Sequence, residues 1–161
     1  MHLTQFSDYS LRVALYLACH HEKAVSVDEI SRSFGISRHH LVKVVQTLTE
    51  LGVVEGRRGR GGGMRLAMRP EEINVGWLIR HAEPHFNLVE CFDPETNTCP
   101  IVGACELKGA LSRARQAFLG VLDEYYLIHF LTRKSDLVVL LEESLRRDSA
   151  NRALSRNDEP R

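Results

Sequence analysis

A chain of 161 residues, 43% hydrophobic and 26% charged, has the length and composition of one globular domain with an attached element. No apolar run approaches the roughly 20 residues that span a bilayer, and Met1-His2-Leu3-Thr4-Gln5 lacks the basic and apolar regions of a signal peptide, so a membrane role is excluded and the cytoplasm is expected. The zero net charge hides an asymmetry: residues 1–70 hold ten Lys and Arg against six Asp and Glu, and residues 71–110 hold two against seven, which directs any polyanionic partner to the first seventy residues.

Ser7 is expected to cap a first helix whose Leu11, Ala14, Leu15 and Ala18 share one face at three-and-four spacing. Cys19 continues beside that face as a small core hydrophobe. Asp8 lies in the first turn, where a carboxylate interacts favourably with the helix N-terminus. After a polar loop at His20–Lys23, Ser26-Val27-Asp28-Glu29 has the capping-box pattern and opens a short helix with Ile30 and Phe34 inward, stopped by Gly35. Ser37 can cap a longer helix with Leu41, Val44, Val45, Leu48 and Leu51 inward, ending at Gly52. Two helices joined by a tight glycine-containing turn read as helix-turn-helix. In the second, Ser37, Arg38, His39, His40 and Lys43 stand on the first turns off the apolar stripe, where a recognition helix contacts base edges and phosphates.

Val53-Val54-Glu55 and Met64-Arg65-Leu66-Ala67 are strand candidates. Between them lie five glycines and Arg57, Arg58 and Arg60 in eight residues. Glycines allow close approach to another surface, and the arginines make that surface anionic: a β-hairpin wing on DNA, with arginine in a minor groove, satisfies both. A nucleotide cradle is the rival, but the stretch lacks the Lys-Ser/Thr of a P-loop and no helix follows it.

Asn74 can cap a helix carrying Val75, Trp77, Leu78, Ile79 and Ala82, with Trp77 as a core anchor and Pro84 ending it. Next, Cys91, Cys99 and Cys105 fall within fifteen residues, spaced by seven and then five, with Pro94 and Pro100 preventing regular structure. In a cytoplasmic chain such clustering points to metal or redox chemistry rather than to structural disulfides. From Cys105 a long helix is expected, with Leu107, Leu111, Ala114, Phe118, Val121 and Tyr125 as a heptad seam for a second copy of the chain. Leu137–Leu141 can open one more helix to about Arg147, and residues 149–161 read as a disordered polar tail.

Over residues 1–130 the chain resembles the iron–sulfur winged-helix transcription regulators, the family of the NsrR, IscR and RirA regulators. The resemblance is carried by Leu3-Thr4-x-Phe6-Ser7-Asp8-Tyr9-x-Leu11-Arg12, by Leu51-Gly52-Val53-Val54 leading to Gly59-Arg60-Gly61-Gly62-Gly63, and by the three-cysteine loop. It implies a mainly α fold: a winged helix-turn-helix at 1–70, a cluster loop and dimerisation helix at 71–131, and a partly disordered extension at 132–161. It also implies a cluster held by Cys91, Cys99 and Cys105. IscR-like members use a histidine three residues after the last cysteine, but Lys108 stands there, and a protonated lysine has no lone pair for iron. NsrR-like members use an aspartate from the first helix of the other subunit, a position Asp8 matches. His81, His85, Glu90 and Asp93 are the competing fourth ligands, and the cluster is 4Fe-4S in preference to 2Fe-2S.

The function implied is a homodimeric DNA-binding repressor whose iron–sulfur cluster senses nitric oxide, with an operator in double-stranded DNA as partner. A regulator of the same family that reads iron or cluster status is the alternative. A zinc-binding or thiol-redox interaction module is a third reading, weakened by the absence of a tight Cys-x-x-Cys or Cys-x-x-His pair. No histidine is spaced as the base for a cysteine nucleophile, so an enzyme is not expected.

Overall fold

Thr4, and not Ser7, opens the first helix: its side-chain oxygen accepts the Ser7 N–H at 3.3 Å, and Ser7 itself is buried in the first turn. Helix α1, Gln5–Cys19, turns Val13, Ala14, Leu17 and Ala18 fully inward and leaves Leu11 and Leu15 half-buried on the flank. Cys19 is buried, as its apolar setting led one to expect, and burial pushes its thiol pKa up. The computed structural model describes residues 2–57, 59 and 62–157.

Helix α2, Val27–Phe34, is capped by the Ser26 hydroxyl, which accepts the Glu29 N–H at 3.1 Å. Only half of the capping box forms. The Glu29 carboxylate turns away to accept from Lys23 Nζ at 2.7 Å and from the buried Tyr16 hydroxyl at 3.0 Å. Gly35 ends α2 with φ of 65°, the left-handed conformation that favours glycine. Helix α3, Arg38–Glu50, buries Leu41, Val44 and Leu48 against α1 and α2. Ser37 holds the cap position without a side-chain bond, so it is placed at the helix start but does not cap it.

Strands β1, Val54–Arg57, and β2, Gly63–Leu66, form an antiparallel hairpin with Val54 opposite Leu66 and Arg57 opposite Gly63. Gly56 and Arg57, expected in the turn, are therefore strand. The turn-side half of β2 is pinned to the start of α2: Val25 and Met64 exchange backbone hydrogen bonds at 2.9 and 2.8 Å. A Cβ on Gly63 would stand 2.7 Å from the Val25 carbonyl oxygen, so glycine is required for this approach. The fold is a mainly helical winged helix-turn-helix.

Helix α4, Val75–Ala82, is capped by Asn74, whose Oδ1 accepts the Trp77 N–H at 2.8 Å. Trp77 is half-buried with His81 packed on its ring at 4.3 Å, covering the core from one side instead of filling it. Helix α5, Glu106–Asp123, follows the cysteine loop, so Tyr125 of the expected seam lies beyond the helix end. After a 3-10 turn at Leu127–Leu131, which drives Leu127 into the core, helix α6 runs from Lys134 to Asn157 and packs against α2. The expected disordered tail from Ser149 is thus helical through Asn157. Ion pairs four residues apart, Glu142 with Arg146 and Asp148 with Arg152, support the polar face of this helix beside its half-buried Leu137, Leu141 and Leu145.

Candidate nucleic-acid interface and metal centre

The side of α3 opposite Leu41, Val44 and Leu48 faces solvent, because residues three and four apart share a face and the core takes that one. Ser37, Arg38, His39, His40 and Lys43 are all exposed there. Arg38 reaches back to Asp28 of α2 at 2.8 Å, but both side chains are 65% exposed, so the pair is weak and its guanidinium can be redirected to a phosphate. The His40 ring stacks on Tyr9 of α1, with centroids 6.2 Å apart. A shallow cleft of about 190 Å³ between Gln5, Phe6, Tyr9, His40, Lys43 and Val44 separates the two helix starts.

Two further residues share this face and escaped the sequence reading. Val42 is exposed despite being a large aliphatic, and Gln46 is exposed one turn on, donating to Glu50 at 3.1 Å. Their three-residue spacing, Val42 from His39 and Gln46 from Lys43, is the signal that places them on this face.

The wing stands beside this helix at a position set by the Val25–Met64 bridge. Glu55 and Arg65 face each other across the strands in an ion pair at 2.5 Å, which leaves Arg57 as the exposed cation at the tip end of β1. Arg58 and Arg60, the other two wing arginines expected at DNA, lie outside the described residues.

Cys91 sits in a 3-10 turn at Glu90–Phe92, Cys99 in the loop, and Cys105 at the cap position of α5; all three are half-buried free thiols. Cys105 makes no side-chain cap bond, so its free thiol stands at the start of α5. The loop is closed by Glu90, whose Oε1 accepts both the N–H and the hydroxyl of Thr98 at 2.6 Å. Asp93 organises the next turn, accepting the Glu95 N–H at 3.0 Å and the Thr96 hydroxyl at 2.9 Å. These bonds hold both carboxyls below the usual range, through the Thr98 side chain for Glu90 and the Glu95 N–H for Asp93. On the other side the Arg115 guanidinium lies 4.7 Å over the Phe92 ring and ties the loop to α5.

The candidate fourth ligands differ in how far they are already engaged. Glu90 and Asp93 build the loop. His81 is held through Nδ1 by the Trp77 carbonyl at 2.8 Å, and His85 Nδ1 accepts the Asn87 N–H at 3.4 Å. Asp8 pairs through both oxygens with Arg12, each at 2.9 Å, on a face where both side chains are more than 40% exposed. Arg12 is a partner that four-residue spacing could have found. Among the described residues no three His, Cys, Asp or Glu side chains stand together as a metal site. The donor chemistry nevertheless fits an iron–sulfur cluster, with soft unpaired thiols on one loop. One chain's loop offers three free thiols, Cys91, Cys99 and Cys105.

The profile of the Rrf2 family, described as iron-dependent transcriptional regulators, matches residues 3–133. The chain is 46% identical over 143 residues to the HTH-type transcriptional regulator NsrR of Bacillus subtilis, covering 88% of this chain and 98% of the relative. It is 44% identical over 144 residues to NsrR of Geobacillus kaustophilus, covering 89% and 98%. Among solved structures, it is similar to T. potens IscR with a TM-score of 0.67 at 25% identity over 83% of this chain and 88% of the other. It is likewise similar to CymR, the global cysteine regulator of B. subtilis, with a TM-score of 0.64 at 25% identity over 83% and 98%.

Proposed function

Because this chain belongs to the Rrf2 family of transcriptional regulators, we propose that it is a homodimeric repressor that carries an iron–sulfur cluster and leaves its operator when nitric oxide modifies that cluster. It is a regulator and not an enzyme. The observation that carries the reading is the direct run of the thiol loop into α5, whose Leu107 and Val121 stand 65% and 53% exposed in a single chain. A ligand set one short and a helix face without cover both call for a second copy, and they belong to one continuous segment.

In this reading residues 1–70 bind DNA, residues 71–131 hold the cluster and the dimer seam, and within the extension at 132–161 helix α6 braces α2. The α3 start enters the major groove, with Ser37, Arg38, His39 and His40 toward base edges and Lys43 toward phosphate. Arg57, Arg58 and Arg60 carry the wing's charge to the minor groove. Cys91, Cys99 and Cys105 hold the cluster, and Asp8 of the second copy completes the set. When bound, the cluster supplies iron that reacts with nitric oxide. Asp8 is suited to be the labile ligand, since Arg12 on the same helix offers its carboxylate a second partner. The cytoplasm is the compartment this chemistry needs; among the described residues no helix is long and apolar enough to cross a membrane.

Anaerobic purification, absorbance spectroscopy and operator gel shifts with and without nitric oxide test the proposal. Cluster-bearing protein should shift the operator and release it on nitric oxide; equal affinity with and without cluster would overturn it. The family's description as iron-dependent favours a second reading, in which iron or cluster status is the signal. Release on iron chelation but not on low nitric oxide would select that reading. A zinc or thiol module without a DNA role is set aside by membership of a transcription-regulator family.

A further inference from the structure

Helix α5 meets the rest of its chain at one well-built joint. Among the helices only α4 packs extensively against it, and none of its own side chains is fully buried. The segment leaving α5 runs antiparallel to the segment entering α4. Val75 N–H donates to the Tyr125 carbonyl at 2.9 Å, Leu127 N–H to the Ile73 carbonyl at 2.9 Å, and Ile128 N–H to the Pro70 carbonyl at 3.1 Å. Asn74 serves both helices: while its Oδ1 caps α4, its Nδ2 donates to the carbonyls of Asp123 at 2.7 Å and Tyr125 at 3.3 Å.

A pair of extended segments resists separation but can still twist about its own axis. The resistance to twist comes from Arg80, one turn further along α4, which forks onto both carboxylate oxygens of Asp123, the last residue of α5. Two parallel N–H···O bonds define a plane as well as a distance. Gly76 makes room for this fork: a Cβ there would collide with Asp123 Oδ1 and stand 2.9 Å from the Asp123 nitrogen. Beyond the joint, α4 packs on α1 and α1 on α3, the recognition helix, so the clamp is the first link of a continuous path.

We propose that Arg80 and Asp123 are positioning residues that fix the angle of α5 to α4 and thereby convey a change at the cysteine loop or dimer seam to α3. The source of that change rests on the proposed function; the clamp is read from this joint alone. An ion pair with side chains 38% and 44% exposed adds little to stability, so its loss should alter coupling while leaving the fold in place.

The test uses full-length protein and an operator duplex, with affinity measured by fluorescence anisotropy for anaerobic cluster-bearing and cluster-stripped samples. The ratio of the two affinities is the coupling, which in coupled systems spans about 5–150-fold. Asp123→Asn and Arg80→Gln should bring the ratio to about one while cluster absorbance and melting temperature stay at wild-type values. The charge-swapped double variant Arg80→Asp/Asp123→Arg should restore it. Single variants that keep the wild-type ratio overturn the inference, as do single variants that lose the cluster or melt well below the wild type. A swap that leaves the ratio at one assigns the loss to packing and overturns it as well. A wild-type ratio of one refutes the proposed function together with this inference, whereas a large wild-type ratio that survives both variants refutes the inference alone.

Discussion

Substituting Gly63 by alanine tests whether the wing is held where the recognition helix needs it. Gly63 has no positive φ, so alanine meets no backbone strain there and the cost is steric. The new Cβ would lie 2.7, 2.9 and 3.0 Å from the carbonyl oxygen, carbonyl carbon and nitrogen of Val25. These are backbone atoms and cannot swing aside as a side chain would, so β2 must move away from residue 25. That movement breaks the two backbone bonds of the Val25–Met64 bridge, at about 1 kcal/mol each, or about 2 kcal/mol in all. For a chain of this length the corresponding fall in melting temperature is about 4–8 °C. Thermal unfolding followed by circular dichroism gives the number, and an operator gel shift shows the displaced wing as weaker binding. Gly56→Ala is the control within the same hairpin, because a Cβ at Gly56 meets nothing within 4 Å. Equal melting temperatures for Gly63→Ala and Gly56→Ala would refute the argument.

Lys43→Ala should weaken operator binding evenly across sequences and reduce the slope of log affinity against log salt by about one, the mark of a lost phosphate contact; titration at several salt concentrations checks it. Val121→Asp places a charge on the exposed face of α5 and should shift the chain toward monomer in sedimentation velocity without loss of helix content. Burial and the neighbouring Glu29 carboxylate raise the Tyr16 hydroxyl pKa above its ordinary value. With the folded pKa above the unfolded one, the stabilisation is full below about pH 10 and is lost as pH rises toward the folded value. Tyr16→Phe should therefore flatten the alkaline fall in stability measured by urea unfolding at pH 9 to 11; an unchanged pH profile would contradict the buried placement.

Much of the DNA-binding half was legible because its signals are local. Ser26 and Asn74 cap through bonds within three residues, and the stripe Leu41, Val44, Leu48 follows from helix period alone. The failures came where a local pattern had two solutions. Ser7 and Thr4 both precede the apolar face of α1, and only burial of Ser7 decides between them. Residues 149–157 are polar enough to read as tail, but their helix rests on packing of α6 against α2 and on ion pairs upstream. In the cysteine loop the donor types were legible but the occupation of the carboxylates was not. Glu90 and Asp93 looked available by sequence, whereas their bonds to Thr98, Glu95 and Thr96 commit them to the shape of the loop.

Helix α5 spends 18 residues without fully burying a side chain in its own chain, and in the proposed dimer this links the regulator to its own abundance. What a helix cannot bury within a chain it buries by association, so in the dimer reading its free-energy gain depends on subunit concentration. Below the dimerisation constant, the dimer concentration, and with it operator occupancy, rises as the square of the amount of protein. A modest fall in expression would then empty the operator more than proportionally. In that reading the exposed face of a single helix sets a threshold in copy number, separate from any signal proposed at the cysteines.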